Sequence, residues 1–274
     1  MSNIKLIIAT HKNYRMPDDE AYLPIHVGAE GKVDSEGNAL DLGYTKDNTG
    51  DNISSKNPYY CELTGLYWAW KNLEADYLGL VHYRRYFSSQ KKVNSKDPFD
   101  KIISCNELKT LFKKYKVIVP KKRKYYIESL YSHYAHTHYA EHLDIVREII
   151  GEQCKDYLAE YDMVVKRTYG YMFNMMIMDK ALLNDYCQWL FDILGELEKR
   201  VKTDDLSVFQ SRFYGRVSEI IFNVWLEHQI NEGRLSKTDI KELPFIYMEK
   251  INRFKKGISF LKAKFFRKRY NGSF

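Results

Sequence analysis

The chain has 274 residues, 45% of them hydrophobic, so it is long enough to bury a full core. This length fits one α/β domain with an appendage. No segment reaches the roughly 18 consecutive apolar residues of a spanning helix, and the apolar run after Asn3 is too short for a signal peptide. The four cysteines have no Cys-x-x-Cys spacing, which is typical of reduced thiols. We therefore expect a soluble, cytosolic protein.

The formal net charge of +7 is concentrated at the C-terminal end. Residues 250–274 contain nine bases and no acid, which leaves a formal charge of −2 for residues 1–249. A charge confined to a tail argues against a nucleic-acid-binding protein, whose basic character is usually spread over a binding face. It indicates instead a local anionic partner.

Strands and helices are predicted to alternate in the first 120 residues. Short apolar runs predict three buried strands, over Lys5–Ala9, Tyr77–Val81 and Val117–Val119. Residues 28–50 are rich in Gly, Asp and Asn and indicate a loop. A helix is predicted to begin at Asn57, which would serve as its N-cap, with Pro58 in the first turn. The apolar positions between Leu63 and Trp70 have helical spacing and predict one core-facing side.

The second half of the chain is predicted to be mainly helical. The predicted helices cover His138–Ile150, Leu182–Val201 and Ser218–Ile230. One apolar strand is predicted over Tyr171–Met178. The elements together predict an α/β sheet with helices on both faces and a helical C-terminal part.

Polar and cationic residues follow two of the predicted strands. In open α/β sheets, ligands bind beyond the carboxyl ends of the strands. Hydroxyl, imidazole, ammonium and guanidinium groups there suit phosphate oxygens, and they belong to Thr10, His11, Lys12, His82, Arg84 and Arg85. Considered one at a time, these residues have a simpler interpretation. Arg84 and Arg85 could be solvated surface residues, and His82 could be a hydrogen-bonded core residue. As a set, they predict a phosphate or diphosphate site.

Three stretches of the sequence carry a resemblance to a known family. They are the opening IIATHK, the run DNTGDNISSKNPYYCELTGLYWAWKN and the following YLGLVHYRRYF. The combination resembles the family known as domain of unknown function 4422, from the first strand to about Gln229. The resemblance implies a GT-A-like nucleotide-sugar fold over residues 1–245. It also implies a bacterial glycosyltransferase of capsule or exopolysaccharide synthesis.

The resemblance implies roles for particular residues. It places His11 and Lys12 in a nucleotide-side loop and makes His82, Arg84 and Arg85 the signature end of a strand. It places Glu62 and Thr64 in a helix that follows a polar loop. The residues of that loop are Asp47, Asn48, Asp51, Asn52 and Asn57. The donor it implies is a UDP-hexose, with galactose in pyranose or furanose form the best candidate. The acceptor it implies is a lipid-linked oligosaccharide.

One departure from GT-A enzymes concerns the metal ion. These enzymes usually hold Mn²⁺ or Mg²⁺ with an Asp-x-Asp motif, since hard cations bind oxygen ligands. The corresponding strand end here reads His82-Tyr83-Arg84, and no Asp-x-Asp occurs in the chain. Cationic side chains could neutralise the leaving diphosphate directly. The sequence thus leaves the need for a metal open.

An inverting transfer also needs a base for the acceptor hydroxyl, and a carboxylate is the common choice. The candidates are Glu62, Asp51 and Glu219. Glu62 leads, because the resemblance puts its helix beside the donor, although an acid in a first helical turn is also favoured by the helix dipole. Glu219 lies in a late family motif and could instead bind the acceptor or start a helix.

Two other classes of function compete with glycosyl transfer. His138 and His142 are four residues apart on a predicted helix and could share a zinc ion with His133 or His136, as in a metal-dependent hydrolase. Alternatively, the 23 tyrosines and four tryptophans could supply stacking platforms for a non-catalytic carbohydrate-binding protein.

The C-terminal tail, residues 246–274, is predicted to form a basic amphipathic helix. On a helix, one apolar stripe would be formed by Ile251, Phe254, Ile258, Leu261 and Phe265. Such a helix can lie in the headgroup layer of an anionic membrane. The pattern leaves open packing on the body of the protein or on a second subunit of a homo-oligomer. On the first interpretation, the protein would be attached to the inner face of the cell membrane.

Overall fold

A computed structural model describes residues 2–203 and 205–249. The chain divides into two compact units, each assembled from separate segments. The first unit contains residues 2–121, Asn174–Cys187 and Ser236–Glu249. The second contains Lys122–Phe173 and Gln188–Leu235. The predicted tail helix lies outside the described residues from Lys250 onward, so the tail and its boundary stay predictions.

The described residues contain eleven strands and eight α-helices. Up to residue 121 they are β1 (Ile4–Thr10), β2 (Tyr22–His26), β3 (Thr45–Lys46), α1 (Asn57–Tyr60), α2 (Leu63–Asn72), β4 (Tyr77–His82), β5 (Arg85–Phe87), α3 (Cys105–Leu111) and β6 (Val117–Pro120). Up to residue 173 they are β7 (Arg123–Lys124), α4 (Leu130–Thr137), α5 (Glu141–Gln153), α6 (Leu158–Val164) and β8 (Tyr169–Gly170). The remainder are β9 (Met176–Asp179), α7 (Lys180–Arg200), α8 (Phe213–Asn231), β10 (Ile240–Leu243) and β11 (Phe245–Tyr247).

The first unit is built on a mixed sheet in the order β10-β6-β9-β4-β1-β2-β3. β1 pairs in parallel with β2 and β4, while β9 is antiparallel to both β4 and β6. All strands of this path except β9 therefore point the same way. β5 extends the sheet from β4 and pairs with β11. The α/β class and the three strands predicted in the first 120 residues are confirmed.

The centre of this sheet is apolar because β1 and β4 are continuous apolar runs. Leu6, Ile7 and Ile8 are fully buried, as expected for strands covered on both faces. β4 approaches β9 very closely at Gly79, where a side-chain β-carbon would lie 2.5 Å from the carbonyl oxygen of Met176. Glycine is thus the residue that fits where these two paired strands come so close together.

The amino end of α2 lies at the carboxyl edge of the sheet. Its residue Gly65 packs on Val27, which follows β2, while Asn72 is at the opposite end of the helix. Lys180, which follows β9, donates hydrogen bonds to the carbonyls of Trp70 and Leu73 at 2.9 and 3.0 Å. The helix therefore runs antiparallel to β1 and β4, as in a βαβ crossover.

The second unit is mainly helical, as predicted. α6 packs on α8, and α8 is buried along most of its length, including Trp225. A short antiparallel ribbon, β7 with β8, pairs Lys124 with Tyr169. Within the described residues, no helix is both long and apolar enough to cross a membrane.

Three predicted element boundaries were wrong. The helix predicted from Ser218 begins at Phe213 as α8. The predicted helix from His138 does not begin there, because His138 is extended and separates α4 from α5. The predicted strand from Tyr171 begins only at Met176, because Phe173 and Asn174 have φ values of 80° and 51°, which a strand does not accommodate.

The predicted capping role of Asn57 was also wrong. Asn57 lies inside α1, and its side-chain amide donates to the Cys61 carbonyl at 2.7 Å and to Thr64 Oγ1 at 3.1 Å. A helix therefore starts at Asn57, as predicted, but the Asn57 side chain connects α1 to α2 and does not cap α1.

We predict that Gly79→Ala lowers the free energy of unfolding by about 2 kcal/mol, because the added methyl group collides with backbone that cannot move away. Gly195→Ala is the matched control. Gly195 lies inside α7, and a β-carbon added there would have no atom within 4 Å, so alanine should raise stability by up to about 1 kcal/mol. Urea titration measures both changes. Equal stabilities of the two variants would contradict the close approach of β9 to Gly79.

Candidate functional site

Thr10, His26 and His82 end three neighbouring parallel strands and define one edge of the first unit's sheet. Thr10 is buried, and its hydroxyl donates to the Lys12 carbonyl at 2.7 Å. It therefore shapes the turn after β1. His26 is also buried, and this burial lowers the pKa of its imidazole. His82 stands in register with Ala9 on one side and Arg85 on the other.

The ring of Tyr83 brings together the residues that follow β1 and β4. The rings of His11 and Tyr14 meet it edge-on, with centroids 5.5 and 5.1 Å away. Lys12 Nζ lies 5.3 Å and Arg84 Cζ 5.2 Å from its centroid. An aromatic face attracts cations, so this geometry holds two positive charges at one place. We call these five residues the Tyr83 cluster.

The last described residue contacts the Tyr83 cluster. Glu249 accepts from Arg84 at 3.4 Å through Oε2 and from the Tyr14 hydroxyl at 3.4 Å through Oε1. Burial and then the Glu249 carboxylate raise the pKa of Tyr14, so its hydroxyl remains a donor. The second arginine of the strand end, Arg85, lies with Cζ 4.9 Å from the ring centroid of Tyr247.

Asp47 organises the polar loop next to this edge. It is fully buried, and its carboxylate accepts from the backbone N–H groups of Gly28 and Ala29 at 2.8 and 3.1 Å. The hydroxyl of Ser54 also donates to it. Asn57 packs so closely on Gly28 that a β-carbon there would lie 2.5 Å from it. Asp47 and Asn57 thus fix the backbone beyond β2.

Glu62 precedes α2 at the same edge. Its Oε1 accepts from the side-chain amide of Asn174 at 2.7 Å. Cys61 and Asn174, on either side of this contact, have φ values of 54° and 51°. Non-glycine residues in this region carry backbone strain that the surrounding structure must hold in place, and such positions cluster at functional sites.

Asp51 and Asn52 lie elsewhere. Asp51 accepts from the Tyr67 hydroxyl at 3.1 Å, and its carbonyl accepts from Asn72 at 2.8 Å. Asn72 ends α2 whereas Glu62 precedes it, so the Asp51 backbone lies at the end of α2 that is remote from Glu62. The Asn52 amide donates to the Gly50 carbonyl at 3.0 Å. Asp51 therefore holds the loop to α2, whereas the Asn52 contact lies within the loop.

Glu219 belongs to the second unit. It is buried in α8, with Oε1 3.6 Å from a guanidinium nitrogen of Arg216, one turn earlier. The first unit contains the other predicted residues: Glu62 and Asn57 lie at the same edge of the sheet as the strand ends, and Asp51 is bonded to α2. The residues at the strand ends are Thr10, His11, Lys12, His82, Arg84 and Arg85.

The four histidines of the metal hypothesis bind other partners. His133 and His136 contact Glu128 through Nδ1 at 2.9 and 2.5 Å. His138 Nδ1 is 2.8 Å from Gln210 Oε1, and His142 Nδ1 is 2.8 Å from the Tyr134 hydroxyl. In residues 2–203 and 205–249, no group of three or more His, Cys, Asp or Glu side chains could hold a metal ion. The arrangement does not fit the zinc site of a hydrolase.

The strand end also lacks the donor set that a divalent cation prefers. The nearest analogue of an Asp-x-Asp position carries an imidazole, a phenol and a guanidinium, of which the last cannot ligate a cation. The residues present therefore suit direct contact with an anion.

Several residues of the site were not identified from the sequence. Tyr83 lies inside the quoted HYRRYF motif, so its position between the cations could have been noticed. Tyr14 lies two residues after Lys12 and could also have been noticed. Asn174, Tyr247 and Glu249 gave no local signal, because each reaches the site only through chain segments brought together by the fold.

The comparisons with known proteins agree with this fold. The family model described as Domain of unknown function (DUF4422) matches residues 5–231, and the chain belongs to this family. A solved structure described as the apo structure of the bifunctional glycosyltransferase WbbM is similar over 90% of the chain, with 28% identity and a TM-score of 0.80. The chain spans 46% of that solved chain. No curated protein sequence matches it.

We predict that stability falls below neutral pH and that His142 contributes to the fall. Burial lowers the pKa of His142 from 6.5 to about 4. In the unfolded chain this imidazole is protonated below about pH 6.5, whereas in the folded chain it stays neutral down to about pH 4. Between these two pH values, lowering the pH therefore favours the unfolded chain. Between pH 7 and pH 5 this group should cost about 2 kcal/mol.

His142→Gln keeps an acceptor for Tyr134 but does not titrate. Urea titrations at pH 7 and pH 5 should therefore show a smaller loss of unfolding free energy for the variant, by about 1–2 kcal/mol. An unchanged loss would mean that His142 is already protonated, or solvated, in the folded protein.

Proposed function

We propose that the chain is a glycosyltransferase that moves a hexose from a nucleotide-sugar donor to a glycan acceptor. The observation that carries this proposal is the Tyr83 cluster at the ends of β1 and β4, in a fold similar to a solved glycosyltransferase. Glycosyl transfer releases a nucleoside diphosphate, whose growing negative charge must be stabilised in the transition state. Preplaced ammonium and guanidinium groups supply that stabilisation.

In this proposal, Lys12, Arg84 and Arg85 neutralise the diphosphate. His11 and His82 add hydrogen-bond donors at the same edge, and Thr10 holds the turn that carries Lys12. Asn57 and Asn52 bind the donor, as the sequence predicts, although their contacts in the structure are with the chain itself. No step is assigned to a metal ion.

Glu62 is the leading candidate for the base that accepts the proton of the acceptor hydroxyl. The amide of Asn174 fixes one of its carboxylate oxygens, which orients the group, and both residues lie next to strained backbone. Asp51 and Glu219 stay as alternative bases, although Asp51 is held at the far end of α2 and Glu219 is buried in the second unit.

The finer parts of the proposal come from family resemblance. They are a UDP-hexose donor, with galactose in pyranose or furanose form, and a lipid-linked oligosaccharide acceptor in capsule or exopolysaccharide synthesis. The proposed location is the cytoplasmic face of the membrane, with the tail on anionic lipid, and self-association of the chain is compatible with it.

A donor screen tests the proposal most directly. Purified chain is incubated with a panel of UDP-sugars, and release of free UDP is scored with and without glycan acceptors. We expect slow donor hydrolysis alone and faster release with the right acceptor. Donor binding without any turnover would favour the carbohydrate-binding alternative, and absence of binding to every nucleotide sugar would refute the assignment.

We predict that Arg84→Ala and Arg85→Ala each lower kcat by about 100-fold or more, because one lost electrostatic stabiliser of the leaving group has an effect of this size. Arg147→Ala is the control, since it removes another exposed arginine that pairs with a carboxylate, Asp162. Circular dichroism should show that all three variants remain folded. Wild-type turnover in both site variants would contradict the diphosphate role.

We also predict that the full chain co-sediments with anionic vesicles at low salt and much less at high salt, because each base near the surface contributes about 1 kcal/mol and is screened by salt. A chain truncated before Lys250 should bind these vesicles more weakly yet still act on a soluble acceptor. Equal vesicle binding by the two chains would show that the tail packs on protein and does not anchor it.

A further inference from the structure

A second basic and apolar surface lies on the second unit, apart from the tail. Seven large apolar side chains are exposed in the described part of the chain, and four of them are Tyr126, Ile127, Met163 and Tyr169. The other three, Val33, Tyr59 and Val208, are scattered along the chain. Isolated exposed apolar residues are ordinary, but a group of them marks an interaction surface.

The backbone brings these four residues together. Lys124 pairs with Tyr169 across the β7–β8 ribbon, and the Tyr125 N–H donates to the Thr168 carbonyl at 2.7 Å. Farther along, the Tyr131 N–H donates to the Val165 carbonyl at 2.9 Å. The segments 122–131 and 163–170 therefore run side by side. Met163 begins the second segment, and its sulfur accepts from Arg167 of the same segment at 3.5 Å.

Tyr126 is held outward by a strained turn. The Ile127 N–H donates to the Tyr125 carbonyl at 2.7 Å, and Tyr126 between them has a φ of 58°. A three-residue turn with positive φ is rare and costly for a residue other than glycine. Its result is that Tyr126 is 79% exposed and Ile127 58% exposed. A strained backbone conformation is thus associated with two exposed side chains, a phenol and an aliphatic group.

Bases border these apolar residues, and three nearby acids contact other groups. Lys122, Lys124 and Lys166 are exposed, with Lys122 Nζ 5.4 Å from the ring centroid of Tyr169. The carboxylates of the same region bind other groups: Glu128 binds two histidines, Glu227 binds Arg167 and Asp162 binds Arg147. Lysine side chains therefore border the exposed apolar residues.

We propose that these seven residues, Lys122, Lys124, Tyr126, Ile127, Met163, Lys166 and Tyr169, form a surface that contacts anionic phospholipid. We call them the ribbon patch. Tyr126 and Ile127 enter the boundary between headgroups and acyl chains, Met163 and Tyr169 widen the apolar contact, and the lysines meet phosphate groups. Aliphatic Ile127 and Met163 favour lipid over nucleic acid, whose bases stack on aromatic rings. The inference stands on the second unit alone and does not depend on the proposed sugar transfer.

A fluorescent label separates this contact from tail binding. An NBD group is attached to the full chain at Ile127→Cys, with Val208→Cys as the control, because Val208 is 84% exposed in the same unit but outside the patch. The labelled parent chain corrects for its own cysteines, of which three are buried. With phosphatidylglycerol–phosphatidylcholine vesicles, we expect a blue shift at position 127 and none at position 208. No shift at 127 while the chain is vesicle-bound overturns the proposal.

Substitutions test the same contact without a label. In the full chain, Lys124→Gln and Lys166→Gln should each lower the partition coefficient for these vesicles about fivefold. Ile127→Asp should lower it about tenfold. Lys202→Gln and Val208→Asp are matched controls in the same unit and should leave it within about twofold.

Other occupants would give other results. If single-stranded RNA competes for binding and only the lysine substitutions matter, the patch is a polyanion site and the lipid proposal fails. If Ile127→Asp changes the oligomeric state in sedimentation but leaves vesicle binding unchanged, the patch joins copies of the chain and the proposal also fails. Loss of vesicle binding with UDP release intact would support the patch independently of catalysis.

Discussion

The parallel pairing of β1 with β4 is the constraint on which the first unit depends. Its register sets Ala9 opposite His82, so the two strands end side by side and deliver their polar successors to one place. A slip of one residue would turn every buried side chain of β1 to the other face of the sheet. Gly79 adds a second restraint, because β9 leaves no room for a side chain there. Sheet register therefore decides where the Tyr83 cluster forms.

The Tyr83 cluster reduces the repulsion between two cations that the sheet register brings to the same edge. Ending both strands at one edge brings Lys12 and Arg84 together, although like charges repel. The tyrosine face attracts each cation by about 0.5 kcal/mol or more, which offsets part of that repulsion. In the proposed function, these charges are already in place when the diphosphate leaves, so the reaction does not have to reorganise them. The ring is thus a positioning group, whereas the cations would contact the donor.

The sequence was informative where a single segment determines its own structure. The apolar runs of β1, β4 and β6 and the helical periodicity of α2 predicted these elements, and the polar residues after β1 and β4 were predicted to meet. β10 and β11 were missed because both are short and pair with segments far away in the sequence, β10 with β6 and β11 with β5. Asn174 and Glu249 were missed because their partners, Glu62 and Arg84, are 112 and 165 residues away. The two compact units were missed for a similar reason, because each consists of separate chain segments and a single domain boundary cannot describe them.

The Arg84–Glu249 ion pair also bears on how an anion could enter the Tyr83 cluster. Its N–O distance is 3.4 Å, and the two side chains are 48% and 42% exposed. A pair of this kind contributes about 1 kcal/mol at most, because water screens it and two long side chains lose freedom. A diphosphate offers more charge and can bind a guanidinium through two oxygens. Under the proposed function, the donor therefore displaces Glu249 at small cost.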